Sequence, residues 1–167
     1  MGQNINIRIW HESDFPIVRK ILLDTWLDTY SSFIPVEDIN GYLESTYNVE
    51  KLKLILENPD SSGFVIESGI IPLGFMRISI SKTENRFYIS SLYVLPEYQG
   101  LGLGKSLLSK ATEEAAIRGY TNIYLGVMKQ NVKSLKWHEN HGFIFNEELP
   151  FQMGKTSVPH LIGQMKI

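Results

Sequence analysis

The stretch Gln99-Gly100-Leu101-Gly102-Leu103-Gly104-Lys105 places three glycines at alternate positions between two periodic segments. Residues 87–94, before it, are rich in aromatic and β-branched side chains, which predicts a strand. Residues 105–118, after it, repeat apolar side chains at helical spacing and end at Gly119, which predicts a helix. A glycine loop can turn its N–H groups toward a ligand, and the start of a helix adds partial positive charge. We therefore expect this loop to bind a pyrophosphate group.

Two known phosphate-binding loops do not match this stretch. A P-loop would end as Gly104, Lys105 and Ser106 do, but its first glycine position holds Gln99. The dinucleotide fingerprint Gly-x-Gly-x-x-Gly fails because its third glycine is missing. The pattern Gln/Arg-x-x-Gly-x-Gly/Ala does match, through Gln99, Gly102 and Gly104. The plain alternative is a strand-to-helix connection that only needs flexible turns.

The matching pattern resembles the acetyl-CoA loop of the GCN5-related N-acetyltransferase (GNAT) superfamily, and residues 95–108 resemble that motif throughout. The resemblance implies that the loop holds the pyrophosphate of acetyl-CoA and that the preceding strand holds the pantetheine arm. It also implies a bulge in that strand, which would admit the cofactor. The implied cofactor-binding residues are Leu92, Tyr93, Val94, Gln99, Gly100, Leu101, Gly102, Leu103, Gly104 and Lys105.

A second stretch, residues 131–143, resembles the segment of the same superfamily that lines the pantetheine arm. It implies cofactor contacts from Asn131, Ser134, Trp137 and His138. His138 stands where the family often has a tyrosine that protonates the departing thiolate. Imidazolium, with a pKa near 6.5, is acidic enough to protonate a thiolate, but little of it exists at neutral pH. His138 is therefore either the catalytic acid or a histidine that packs or contacts pantetheine.

The residue that deprotonates the amine is harder to predict. Many relatives place a glutamate near residues 88–91 of the central strand, and this chain has no carboxylate there. An alkylammonium with a pKa near 10 would have to lose its proton through Ser90, Tyr88 or ordered water, and we favour a water relay. Ser90 is the second predicted catalytic residue. The chain has no cysteine, so transfer through an acyl-thioenzyme is excluded and direct transfer is expected.

The acceptor side is predicted from charge and aromatic content. Residues 1–60 carry ten acidic side chains against five basic ones, and residues 61–167 carry eight against eleven. An acidic, aromatic half suits a cationic acceptor through charge pairing and cation–π contact. The predicted substrate-binding residues are Asp24, Trp26, Asp28, Tyr30, Tyr42 and Tyr88. The alternative is that the carboxylates lie on solvated helix faces and the aromatic side chains lie in the core.

A closer resemblance bears on the acceptor. The segments 24–30, 42–47, 123–127 and 151–154 look like the bacterial spermidine/spermine acetyltransferase branch. This resemblance implies a polyamine acceptor, although the branch usually keeps the central glutamate and the tyrosine that this chain lacks. A peptide N-terminus, an amino acid and an aminoglycoside are the other acceptors considered. Two different functions also stay open: a CoA-binding sensor without turnover, and a phosphate-loop NTPase.

Chain length and composition set the broad class. We expect one domain over residues 1–167, of class α/β or α+β, with a mixed, mostly antiparallel sheet and helices on both faces. A formal charge of −2 gives no sign of a nucleic-acid partner. No apolar run predicts a membrane segment, so a cytoplasmic protein is expected. His138 and His141 have the spacing of metal ligands but lack a third, so no metal is predicted. A small-molecule amine is the expected partner, and a homodimer is left open.

Overall fold

The computed structural model describes residues 4–167, so residue 3 of a first strand predicted over residues 3–10 lies outside the described residues. Seven strands form one sheet in the order β1-β2-β3-β4-β5-β7-β6. The described part contains no helix that is both long and apolar enough to span a bilayer. The strands and helices are β1 (Ile5–Ile9), α1 (Phe15–Tyr30), α2 (Val36–Thr46), α3 (Val49–Glu57), β2 (Ser61–Ser68), β3 (Ile71–Ser81), β4 (Arg86–Val94), α4 (Leu103–Ile117), β5 (Asn122–Met128), α5 (Val132–Asn140), β6 (Ile144–Met153) and β7 (Thr156–Lys166).

Both faces of the sheet are covered, because side chains along each strand alternate between the two faces. In β2, Val65 lies in an apolar cluster with helices α1 to α3, whereas its neighbours Phe64 and Ile66 lie in a cluster with α4 and α5. Adjacent strands run antiparallel except β4 and β5, which run parallel. The predicted mixed, mostly antiparallel sheet with helices on both faces is confirmed.

The parallel pair β4 and β5 is short, and this opens the sheet. The two strands pair only from Phe87 to Ile89, opposite residues 123–125. Between β3 and β4, Arg77 pairs with Ser91, and Ile78 pairs with Ile89. Ser90 is therefore an extra residue in β4. Such a bulge bends its strand and increases the local twist, so β4 turns away from β5 beyond it. The bulge expected from the family resemblance is therefore present.

Helix α4 begins two residues earlier than the sequence predicted. Gly102 has a φ of +81° and stands at the N-cap, so Leu103 is already helical and buried. The left-handed residue that stops the helix is Gly119, as expected from the sequence. The earlier start places Gly104 in the first turn of α4, beside the loop.

Strands β6 and β7 form a long hairpin, of which the sequence predicted only residues 143–145 and 161–167. The strand pattern is interrupted by Pro150 and Pro159, which face each other across the hairpin. Proline has no N–H for a sheet ladder, so a sequence pattern that contains it argues against a strand. Pairing with β5 on one side overrides that local signal.

The turn of this hairpin is fastened to helix α2. Asp38 accepts hydrogen bonds from the Lys155 N–H at 3.0 Å and from the Thr156 hydroxyl at 2.6 Å. One turn further along α2, the ring of Tyr42 packs on Phe151 of β6, with 5.7 Å between ring centroids. Helix α2 and the hairpin therefore form one packed unit at the edge of the sheet.

Helix α5 turns His138 into the protein, where it is 7% exposed. The imidazole meets Trp137 and Phe143 edge-on, at centroid distances of 4.9 and 5.5 Å. Its Nδ1 lies 2.8 Å from the Ser134 carbonyl oxygen, so the Nδ1–H donates there and Nε2 of the neutral ring carries no proton. Burial lowers the pKa of His138 from 6.5 to about 4, and the Ser134 carbonyl offsets that only in part.

These contacts argue against His138 as the catalytic acid, the first of its two predicted roles. A group with a pKa of about 4 is protonated in only about one molecule in a thousand at pH 7. The one proton of the neutral ring is engaged within the helix. The environment favours the second role, a neutral and packed histidine.

The depressed pKa makes a prediction for stability. Between pH 6.5 and 4 the unfolded chain binds a proton at His138 that the folded chain does not, so folding stability falls as pH falls. We expect the stability of wild type relative to His138→Phe to drop by about 2–3 kcal/mol from pH 7 to pH 4. Urea denaturation across that range measures it. Phe143→Leu, which changes the same packing without removing a titrating group, should show a constant difference, and a constant difference for His138→Phe would contradict the prediction.

Candidate active site

The glycine loop presents an anion-binding surface. Gly100 and Gly102 have φ values of +80° and +81°, and nothing lies within 4 Å of where a Cβ would stand on either. The first α-helical bond at this end of α4 runs from the Ser106 N–H to the Gly102 carbonyl at 3.1 Å. The N–H groups of residues 103–105 therefore have no helical acceptor and point out of the helix start, where the dipole favours negative charge. The loop geometry suits the pyrophosphate that the sequence predicted.

Gln99 fastens this loop to its surroundings. Its Nε2 donates to the Val94 carbonyl at the end of β4, at 3.0 Å, and its Oε1 accepts from Lys133 Nζ of α5, at 3.1 Å. The side chain of Gln99 is thus already bonded within the protein and positions the loop. The exposed side chains of Leu101 and Lys105 lie on the same loop.

The other predicted cofactor residues meet beside the loop. A Cβ on Gly104 would stand 3.2 Å from Trp137 Cζ2 and 4.0 Å from Leu92 Cδ2, so α4, α5 and β4 approach one another there. Asn131 caps α5, because its Oδ1 accepts the Ser134 N–H at 3.2 Å. The structure therefore brings the glycine loop and the α5 stretch together at the edge of β4.

That edge of β4 is open. Within residues 4–167, the backbone from Ser91 to Val94 pairs with β3 on one side and has no strand partner on the side facing β5. Unpaired backbone N–H and C=O groups in a sheet need partners. The split between β4 and β5 is shaped for an extended group that carries amides, bound as an added strand would be. Leu92, Tyr93 and Val94, which the sequence predicted to bind the cofactor, lie on that edge.

On the opposite face, a cavity of about 230 Å³ lies where β4 and β5 part. Its wall is mostly aromatic, carries two basic side chains, and has no carboxylate among the residues of the described chain that line it. We call it the aromatic cavity. Its lining residues are Trp26, Tyr30, Tyr42, Tyr47, Arg77, Tyr88, Ile89, Ser90, Tyr93, Gly126, Met128, Phe151, Met153, His160 and Ile162.

The predicted acceptor residues divide between this cavity and the outer surface. Four of the six predicted side chains line the cavity, but Asp24 and Asp28 do not. Asp24 pairs with Lys20 on the outer face of α1, and Asp28 is exposed. The structure therefore does not bring these two carboxylates to the cavity. For them, the alternative of solvated charges on a helix face fits better. The four in the cavity wall are Trp26, Tyr30, Tyr42 and Tyr88.

The two hydroxyls predicted to relay a proton already have protein partners. Ser90 lies at the bulge, and its Oγ is hydrogen-bonded to Ser79 Oγ. The Tyr88 hydroxyl lies 3.3 Å from both Arg86 Nη1 and Glu84 Oε2. Burial raises the pKa of Tyr88, so it stays a neutral phenol and is a poor base. Ser90 keeps the better position, because it stands where the split meets the cavity.

Sequence reasoning missed the two basic residues of the cavity wall, Arg77 and His160. The His160 ring occupies space above Gly126, where a Cβ would come within 2.0 Å of its Cε1. Burial lowers the pKa of His160, so its ring is neutral at neutral pH. Of these two residues, the sequence could have revealed only Arg77, because it is a charged residue within an apolar run that is typical of a buried strand. No group of three or more metal-binding side chains occurs in residues 4–167.

Comparisons with known proteins agree with this geometry. A family model described as the acetyltransferase (GNAT) family matches residues 19–143. Spermidine N(1)-acetyltransferase from Thermoplasma acidophilum is 25% identical over 144 residues, which are 84% of this chain and 88% of that protein. L-amino acid N-acyltransferase MnaT from Escherichia coli is 40% identical over 60 residues, 36% of this chain and 35% of that protein.

A solved structure shows the same fold. The PaiA N-acetyltransferase from Thermoplasma acidophilum, crystallised in complex with coenzyme A, superposes with a TM-score of 0.84 and 23% identity over 100% of both chains. The family resemblance predicted from the glycine loop is confirmed. The prediction of an acetyl-CoA-dependent N-acetyltransferase is confirmed with it. Since the family match covers most of its length, the chain belongs to the acetyltransferase (GNAT) family.

Proposed function

We propose that this acetyltransferase transfers the acetyl group of acetyl-CoA directly to the primary amine of a small molecule bound in the aromatic cavity. The split between β4 and β5 is the observation that carries the proposal. The cofactor residues lie on one side of that split, and the cavity lies where the strands part on the other face. An acyl group that follows the edge of β4 would therefore end beside an amine in the cavity.

The residues around the split fit the cofactor. Acetyl-CoA, when bound, supplies an acyl thioester that an amine can attack. The glycine loop and the free N–H groups of residues 103–105 suit its pyrophosphate. The open backbone of residues 90–93 suits the amides of its pantetheine arm, and Leu92 and Trp137 offer apolar surface beside it. Holding both reactants in one geometry removes much of the entropic barrier to transfer.

Transfer also requires two proton movements. The amine nitrogen becomes bonded to the acetyl carbon in place of sulfur, so one proton leaves the nitrogen and one proton reaches the sulfur. We assign the first proton to His160, which lines the cavity and is neutral because burial lowers its pKa. Ser90 also lines the cavity and can relay a proton, and the departing thiolate takes its proton from water. His138 does not supply the second proton, because its Nε2 carries none at neutral pH.

The acceptor class is the finer question. A polyamine is supported by the spermidine acetyltransferase among the relatives and by the aromatic wall, which suits an ammonium group. An amino acid is supported by the L-amino acid acyltransferase among them. The wall has no carboxylate in the part of the chain that the structure describes, and this weighs against a polyamine. The cytoplasmic location and a homodimer stay sequence predictions.

The enzyme is distinguished from a CoA-binding sensor by turnover. Release of coenzyme A is measured with polyamines, amino acids, aminoglycosides and peptides that have free N-termini. We expect at least one class to release coenzyme A above the background of hydrolysis, with the acetylated amine identified by mass spectrometry. Tight calorimetric binding of acetyl-CoA without release for any amine would instead indicate a sensor.

The glycine loop gives a prediction for cofactor affinity. Gly102→Val should weaken acetyl-CoA binding more than tenfold, at least about 1.4 kcal/mol, because a β-branched residue resists a φ of +81° and crowds the loop. Gly119→Val is the matched control, since Gly119 has a φ of +79° and equally open space but lies at the other end of α4. The control should lose stability and keep its affinity. Unchanged affinity in a folded Gly102→Val would remove the phosphate-loop assignment.

The cavity gives a prediction for the chemical step. His160→Gln should lower kcat by about 10²-fold and leave acetyl-CoA affinity unchanged, because it removes the proton acceptor and keeps a polar side chain of similar reach. The advantage of wild type over the variant should shrink at acidic pH, once the pH falls below the lowered pKa of His160 and its ring becomes protonated. Gly126→Ala should lower kcat as well, because its Cβ displaces the His160 ring.

A control variant separates the cavity from the acidic face of α1. The double change Asp24→Asn with Asp28→Asn should leave kcat and the acceptor KM unchanged, because neither carboxylate lines the cavity.

A His160→Gln variant with the kcat and pH profile of wild type would leave proton removal to water and Ser90.

A further inference from the structure

Arg77 differs from the other arginines of the described chain. The remaining four each pair with a carboxylate: Arg8 with Asp14, Arg19 with Glu44, Arg86 with Glu147 and Arg118 with Glu114. Among residues 4–167, no carboxylate oxygen lies within 4.0 Å of a nitrogen of Arg77. Its Nε is buried and has no hydrogen-bond partner. Arg77 extends from β3 into the wall of the aromatic cavity, and within the described residues no carboxylate offsets its charge there.

The cavity wall supplies no negative charge of another kind. Burial raises the pKa of Tyr30, Tyr42 and Tyr93, so these phenols stay neutral; for Tyr42 the nearby Arg77 charge offsets burial only in part. The wall therefore holds a cation whose charge is not offset, and a half-buried cation without a counter-charge is costly. A ligand with acceptor oxygens and a negative charge would complete it.

We propose that the acceptor is an amine that also carries a carboxylate, an amino acid or a close analogue, and that Arg77 binds this carboxylate. The proposal rests on the acetyltransferase function above and names its substrate class. A guanidinium presents a planar fork of N–H donors that pairs with a carboxylate through two parallel hydrogen bonds. A polyamine would instead bring ammonium groups beside Arg77, where like charges repel.

The same charge assists the reaction. Once paired with the carboxylate, Arg77 offsets the negative charge that would otherwise raise the pKa of the acceptor's ammonium, so the share of neutral amine is larger than it would be without Arg77. That neutral amine attacks the acetyl carbon; its nitrogen loses one proton to the protein, and the sulfur leaves and gains one. The products are an N-acetyl amino carboxylate and free coenzyme A, so atoms and charge balance without another reactant.

The test uses substrates that differ only in the anion. L-Leucine, L-phenylalanine and L-methionine are each compared with the corresponding amide and with the decarboxylated amine, and spermidine is included. We expect kcat/KM of wild type to be at least about tenfold higher for the best amino acid than for its amide or amine, the effect of charge-assisted hydrogen bonds. Equal or higher kcat/KM for the amides, the amines or spermidine would overturn the proposal and leave the acetyltransferase function intact.

Variants assign the preference to Arg77. Arg77→Gln should lose about ten- to hundredfold in kcat/KM for the amino acid, mainly through KM, and change little for the amide. Arg77→Lys should retain part of the preference, because it keeps the charge and loses the fork. Arg118→Gln is the control, since that arginine lies outside the cavity, and its preference should match wild type. An Arg77→Gln variant that keeps the full preference would overturn the proposal.

A binding readout makes the test independent of turnover. Wild type saturated with coenzyme A is titrated with each amino acid and its amide while tryptophan fluorescence, to which Trp26 of the cavity contributes, is followed. Saturable binding of the amino acid that is lost in Arg77→Gln supports the proposal. This holds even if no amine releases coenzyme A, because that result would contradict the proposed catalytic function and not the binding of the carboxylate. Absence of any difference between amino acid and amide overturns the proposal. If circular dichroism shows Arg77→Gln to be unfolded, Arg77→Lys and the wild-type substrate series decide.

Discussion

A sheet keeps adjacent strands at hydrogen-bonding distance along their whole length unless a bulge changes the direction of one of them. Here a single extra residue, Ser90, has that effect: β4 and β5 pair as far as Ile89 and Leu125 and then part. The parted strands leave backbone groups of β4 without partners inside an otherwise complete sheet, a state that a bound ligand relieves. The same parting opens a passage between the two faces. The cofactor surface and the aromatic cavity both exist because of it.

The two sides of that passage use different chemistry. The cofactor side depends on backbone groups, namely an open strand edge and the N–H groups of a helix start, and its side chains chiefly hold those groups in place, as Gln99 does. The proposed acceptor side is the cavity, whose wall consists of individual side chains from distant strands, such as Arg77 of β3 and His160 of β7. Apart from β4, which borders both sides, the two sides are built from different residues of the chain.

This division also decides what the sequence can predict. The glycine loop is recognisable because left-handed glycines and a helix start depend on neighbours in the chain. The cavity is not, because two helices and five strands supply its wall. Asp24 and Asp28 have the same one-turn spacing on α1 as Trp26 and Tyr30, and only packing on the sheet decides which pair faces inward. His138 matches a family position for a proton donor, but its burial, which no motif reports, sets its pKa.

The bonds from Asp38 to the hairpin turn have a consequence for how an acceptor is bound. They join α2, which carries Tyr42, to the hairpin that carries Phe151 and His160, so two walls of the cavity are tied before any ligand arrives. A preorganised site spends little of its binding free energy on ordering side chains and loops. Two walls of the cavity are thus held in place by hydrogen bonds at a turn that does not itself line the cavity. Sequence changes in that turn would alter the range of acceptor sizes while leaving the chemistry of transfer as it is.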